Sequence, residues 1–103
     1  MTLRRANGSV AIAGLSLDIH AGEIVAVAGV DGNGQSELMR CIAGMKRPDG
    51  GLVECLGESS DSRAWTPAGL RRLGLSHIPE DRRRSGIVGA MSLARNYLLG
   101  HMR

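Results

Sequence analysis

Apolar positions along this chain change period twice, and the changes mark its elements. Leu15-Ser-Leu-Asp-Ile19 alternates apolar and polar side chains, the pattern of a strand with one wet face. His20-Ala-Gly22 turns the chain. Ile24-Val-Ala-Val-Ala28 then runs apolar without alternation, as a strand buried on both faces of a parallel sheet does. Gly29, Gly32 and Gly34 interrupt that run. From Gln35 the period lengthens: Leu38, Cys41, Ile42 and Met45 fall on one helical stripe, which Gly44 and Lys46-Arg47-Pro48 stop.

Beyond the Asp49-Gly50-Gly51 turn, Leu52–Leu56 reads as a short strand and Ser59–Arg63 as polar loop. Thr66-Pro67 supplies an N-cap with proline at the first helical position, predicting a helix from Pro67 to Leu73 that ends at Gly74. Leu75–Ile78 reads as a strand stopped by Pro79, Glu80–Arg84 as a charged loop, and Ser92 as the start of a last helix running to the end of the chain. The order of strand, glycine-rich loop, helix, then further strands and helices predicts an α/β domain.

Composition narrows the chemistry. The 103 residues suffice for one domain or part of one. An apolar share of 43% argues against wholesale disorder. No apolar stretch approaches the ~20 residues of a membrane-spanning helix, and residues 1–20 lack a signal-peptide layout. The net charge of +3 suits phosphate, nucleic acid or an acidic protein surface. Trp65 and Tyr97 are the only aromatics, too few for base stacking along a single strand. Arg82-Arg83-Arg84 therefore reads as a solvated loop before it reads as a nucleic-acid contact. Cys41 and Cys55 lack metal-site spacing and read as two small hydrophobes rather than a disulfide. Trp65 reads as a packing anchor, and His77 as structural.

The chemistry concentrates in Gly29-Val-Asp-Gly32-Asn-Gly34-Gln35-Ser36, followed by Glu37. Against the phosphate-loop pattern G-x-x-x-x-G-K-[ST], Gly29, Gly34 and Ser36 are in register and Gln35 stands where lysine is expected. Glycines let successive amides turn around an anion, and the following helix adds its positive end. Gly29, Asp31, Gly32, Asn33, Gly34, Gln35, Ser36 and Glu37 are the candidate phosphate-binding positions, with Asp31 expected to face outward. Gln35 keeps a donor but loses the charge, so binding with poor or no hydrolysis is expected. The competing reading is a tight strand–helix turn whose glycines serve packing alone. A dinucleotide fingerprint fits worse, because G-x-G-x-x-G is not present in that order.

The stretches LSLDIHAGE, GVDGNGQSEL and IAGMKRPDGG resemble the opening of an ABC-transporter ATP-binding domain. GVDGNGQSEL followed by HIPEDRRRSGIV resembles, more narrowly, the second ATP-binding domain of the tandem ATPases in simple-sugar (ribose-type) and nucleoside importers, which often lacks the loop lysine. The resemblance implies a P-loop NTPase fold in part, with an antiparallel β portion and a truncated parallel core sheet. Residues 1–103 would form the N-terminal part of one such domain, before the signature motif, Walker B acids and switch histidine. It implies ATP and Mg²⁺ as ligands, with Ser36 and Glu80 at the metal, Glu80 taking the Q-loop position. Ser92–Leu99 would open the helical subdomain through an S-x-x-x-N pattern.

The implied partners are permease subunits, the partner ATP-binding domain and, indirectly, a solute-binding protein, on the cytoplasmic face of the membrane. The family's adenine-stacking aromatic has no counterpart in residues 1–20. No catalytic residue is assigned, and hydrolysis by this chain alone is not expected. Open strand edges imply self-association. Two rival readings remain: a non-catalytic anion-binding or interaction module, and a basic nucleic-acid-binding domain.

Overall fold

The computed structural model describes residues 1–99; the expected run of the last helix to the chain end lies partly outside them. A hairpin pairs β1 (Leu3–Arg4) with β2 (Val10–Ile12), antiparallel, with Leu3 opposite Ile12 and Arg4 opposite Val10. Asn7-Gly8 makes its turn: Gly8 adopts φ 84, and the Asn7 carboxamide accepts from the Ser9 amide at 3.0 Å. The long loop from Ala13 to Gly34 leads into α1 (Gln35–Ile42). A second hairpin joins β3 (Glu54–Cys55) to β4 (Glu58–Ser59), and α2 (Pro67–Arg72) follows. A π-helical turn at Arg82–Gly86 and α3 (Leu93–Leu98) complete the described chain.

The helices begin and end as their sequences dictate. The α1 helix stops in a Schellman motif: the Met45 amide bonds the Arg40 carbonyl at 2.9 Å and the Gly44 amide bonds Cys41 at 3.1 Å, with Gly44 at φ 74. Thr66 caps α2 through Oγ1, which accepts from the Gly69 amide at 3.0 Å, with Pro67 at the first helical position. Ser92 caps α3 by accepting from the Arg95 amide at 3.3 Å. Asn96 gives the S-x-x-x-N spacing a physical meaning. Its carboxamide accepts from Val88 N–H at 2.8 Å and donates to the Val88, Met91 and Ser92 carbonyls, pinning the loop before α3.

The core is small: Leu3, Leu38, Cys41, Ala43, Trp65 and Leu70 are buried. Trp65 joins the α2 segment to α1, its indole N–H donating to the Cys41 carbonyl at 3.3 Å. It is the packing anchor expected. Cys41 is buried, Cys55 half-buried, and both are free thiols. Burial pushes the Cys41 thiol above its ordinary range against the opposing pull of Lys46, and burial raises Cys55 likewise. Asp49 ties the turn after α1 to the first hairpin: its carboxylate accepts the Arg4 amide at 2.7 Å and pairs with Lys46 at 3.4 Å. The Arg4 amide, and then Lys46, hold the Asp49 carboxyl below the usual aspartate range.

Several expectations are corrected. The parallel core sheet is not formed among the described residues; both sheets are two-stranded and antiparallel. Leu15–Ile19, Ile24–Ala28 and Leu75–Ile78 form no strand, and within Leu52–Leu56 the ladder is confined to Glu54–Cys55 with β4. A parallel strand needs hydrogen-bonding neighbours brought in by crossovers and cover on both faces. Here Ile24 is 97% exposed and Val30 73%, so the apolar run lies open instead of buried. The loop expected at Ser59–Arg63 likewise begins inside β4, and the charged loop at Glu80–Arg84 coils into the π-helical turn. That turn follows from Asp81, whose Oδ1 accepts the Arg83 and Arg84 amides, each at 3.1 Å.

Candidate functional site

The glycine loop is shaped by its backbone. Gly32 (φ 84) and Gly34 (φ 106) both adopt left-handed conformations, the second as the N-cap of α1. The Asn33 amide closes a turn on the Val30 carbonyl at 3.2 Å. No side chain caps α1, so the amides of its first turn, which have no intrahelical acceptor, remain available to an external anion. Gly34 is buried against the first hairpin. A Cβ there would lie 2.7 Å from the Ala11 carbonyl oxygen and 2.8 Å from Ile12 Cγ1.

Gln35 folds back over the loop. Its Nε2 donates to the Val30 carbonyl at 3.3 Å and occupies the space that a Cβ at Gly29 would need. The side chain replacing lysine thus spans the loop as a neutral donor. Ser36 and Glu80 meet across 44 residues of sequence, the hydroxyl donating to the carboxylate at 2.6 Å. Pro79 and the Asp81-capped turn place Glu80 there. Both side chains line an open cleft of about 570 Å³ with Asp31, Gly32, Gln35 and Asp81. Asp31 is exposed, and half-buried His77 also lines the cleft. The carboxylate of Glu37 pairs with Arg5 at 3.4 Å.

Arg5 and Met39 are among the residues of the site that escaped the sequence reading. Arg5 reaches from the first hairpin to Glu37 and to the Gly32 carbonyl; the Asn7-Gly8 dipeptide could have signalled the hairpin that carries it. Met39, on the exposed side of α1, lines the cleft floor, a position no motif marks.

The donor set fits a magnesium-bound phosphate chain. Mg²⁺ favours hard oxygen ligands, keeps several waters, and is held by one or two protein groups together with substrate phosphates. Ser36 Oγ and the Glu80 carboxylate form such a pair beside the open amides. Among the described residues no cluster of three or more His, Cys, Asp or Glu forms a self-sufficient metal cage, so the protein pair would need phosphate to complete the shell. When bound, the metal would neutralise phosphate charge; the chain's own groups supply amides, hydroxyl and carboxylate.

A glycine loop feeding an uncapped helix, with a hydroxyl in its first turn, belongs to the phosphate-loop class of nucleotide-binding proteins. Residues 12–96 match the family model of the ABC transporter, and the chain belongs to that family. Its fold class is accordingly that of the P-loop NTPases, and ABC ATPases generally bind ATP with Mg²⁺. The chain is 40% identical over 99 residues to a nucleoside import ATP-binding protein of Lactococcus lactis subsp. cremoris, covering 96% of this chain and 19% of that protein. It is 38% identical over 99 residues to a guanosine import ATP-binding protein of Bacillus subtilis, with the same coverage. It is 44% identical over 96 residues to an arabinose import ATP-binding protein of Burkholderia pseudomallei, covering 93% of this chain and 19% of that protein. The chain therefore spans about a fifth of the length of these curated relatives. No solved structure matches it.

Proposed function

We propose that this chain is the N-terminal part of the second, degenerate ATP-binding domain of an ABC importer ATPase for a simple sugar or nucleoside. Gly29–Glu37 would hold the triphosphate of ATP, and Ser36 with Glu80 would hold Mg²⁺. The observation carrying this reading is the Ser36–Glu80 contact beside an uncapped helix N-terminus, which joins the two motifs behind the family resemblance in one cleft. The names of the relatives support import of a sugar or nucleoside. The assembled transporter would add permease subunits, a partner ATP-binding domain and a solute-binding protein, at the cytoplasmic face of the membrane. No described helix is long and apolar enough to cross a membrane.

Gln35 sets the expected behaviour. A charge-assisted hydrogen bond carries roughly twice the free energy of a neutral one, a gain of about 1 to 1.5 kcal/mol, so Gln35→Lys is expected to tighten Mg-ATP binding by about tenfold. Thermal stabilisation against ligand concentration reads this directly. If neither the wild-type chain nor Gln35→Lys is stabilised by Mg-ATP at millimolar concentration, the phosphate-loop assignment fails.

The exposed apolar run carries a second expectation. Ile19, Ile24 and Val27 present apolar side chains to water on backbone that joins no ladder. Such edges pair with other chains. Sedimentation should show concentration-dependent self-association of the 103-residue chain, and Val27→Lys should reduce it. A stable monomer at all concentrations contradicts the expectation.

A further inference from the structure

Arg5 spends its donors on the phosphate loop and its own hairpin. Nη2 donates to the Gly32 carbonyl, Nε faces Glu37 Oε1 at 3.4 Å, and Nη1 donates to the Val10 carbonyl at 3.2 Å and reaches Ser9 Oγ at 3.5 Å. Both members of the ion pair are partly buried, their side chains 32% and 25% exposed. The guanidinium therefore fastens the first hairpin to the loop and to the first turn of α1 at once.

The loop's electrostatics give that contact a consequence. Asp31 and Glu37 flank the open amides, and position 35 offers no cation. An unpaired Glu37 would repel an incoming phosphate within the turn where the helix dipole attracts it. We infer that Arg5 is a positioning residue for anion binding: it neutralises Glu37 and fixes the Gly32 carbonyl outward, taking over part of the electrostatic role that a lysine at position 35 would fill. This inference rests on the phosphate-loop reading. It goes beyond that reading by making affinity depend on a residue outside the loop and on a charge pair rather than on a phosphate contact.

The test compares the wild-type chain with Arg5→Ala, Arg5→Lys, Glu37→Gln and the double variant Arg5→Ala/Glu37→Gln. Mg-ATP affinity is read by titration, and amide hydrogen exchange at residues 32–34 is read without nucleotide. Arg5→Ala is expected to weaken Mg-ATP binding roughly fivefold, in the range set by losing one charge-assisted contact. Arg5→Lys should recover part of it, because it restores charge without the planar fork. Removing the Glu37 charge in the Arg5→Ala background should restore most of the affinity, which a merely structural role for Arg5 would not predict. Exchange at residues 32–34 should accelerate in Arg5→Ala and stay fast in the double variant, since the Gly32 bond is lost in both. If wild type binds Mg-ATP and Arg5→Ala binds equally well, or if Glu37→Gln fails to rescue it, the inference is overturned while the loop assignment survives. If wild type binds no nucleotide, the loop assignment fails, and unchanged exchange in Arg5→Ala would overturn the clamp independently.

Discussion

Trp65→Ala is expected to unfold most of the chain. The indole is 2% exposed and the largest fully buried side chain among the described residues. It links α2 to α1 by packing and by its N–H bond to the Cys41 carbonyl, which also accepts the Gly44 amide closing the helix. Truncating a buried Trp to Ala costs about 3–5 kcal/mol through lost transfer free energy and the cavity left behind. Small domains hold only about 5–15 kcal/mol in total, and this core contains few other large residues. Urea denaturation followed by far-ultraviolet circular dichroism should show the midpoint collapse. Trp65→Phe, which keeps most of the apolar area and loses the N–H bond, should cost about 1 kcal/mol beyond its volume loss. Tyr97, 84% exposed, supplies the control: Tyr97→Ala should lie within about 0.5 kcal/mol of wild type. Equal midpoints for Trp65→Ala and Tyr97→Ala would show that the described core does not hold the fold.

Gly34→Ala is expected to abolish nucleotide binding, whereas Gly32→Ala should weaken it only modestly. Both glycines have positive φ, so each substitution costs about 1–2 kcal/mol of left-handed strain. Only Gly34 also lacks room. Its Cβ would press on the Ala11 carbonyl and on Ile12, both at under 3 Å, while nothing lies within 4 Å of a Cβ at Gly32. Since Ala11 and Ile12 belong to β2, relief requires moving either the hairpin or the N-terminus of α1. Either movement turns the first amides away from a common anion. Thermal shift with Mg-ATP should show no stabilisation of Gly34→Ala and a reduced but measurable one for Gly32→Ala. Equal losses at the two positions would mean that the loop contributes strain relief alone and no preorganised cradle.

These residues show how far local sequence rules reach. Leu38 and Cys41 of the α1 stripe, the Thr66 cap, the Ser92 helix start and the Gly44 stop were legible, because each depends on a few neighbouring positions and on backbone geometry, whereas Met45 falls beyond α1 and stays exposed. The loop itself was legible for the same reason. Its glycines are needed locally, and Gln35 stands in register whatever surrounds it. Asn96 was visible as a spacing, but its four bonds to the loop before α3 emerged only once that loop was folded around it.

Pairings between distant segments were not legible. Periodicity assigns Ile24–Ala28 to a buried strand, yet a strand exists only through partners, and burial only through cover; the described residues supply neither. The family resemblance brought Ser36 and Glu80 to one site, but no spacing announces that Arg5 meets Glu37, since side-chain contacts across tens of residues depend on where hairpin, loop and helix settle together. By itself, then, the sequence determined the local conformations: glycine turns, caps, helical stripe and a glycine loop with Gln35 in the lysine register. Only the tertiary structure decided which charges stand beside that loop and which apolar segments stay open to water. Dihedral preference is a property of each residue, whereas electrostatic and packing contacts belong to the folded arrangement of the whole chain.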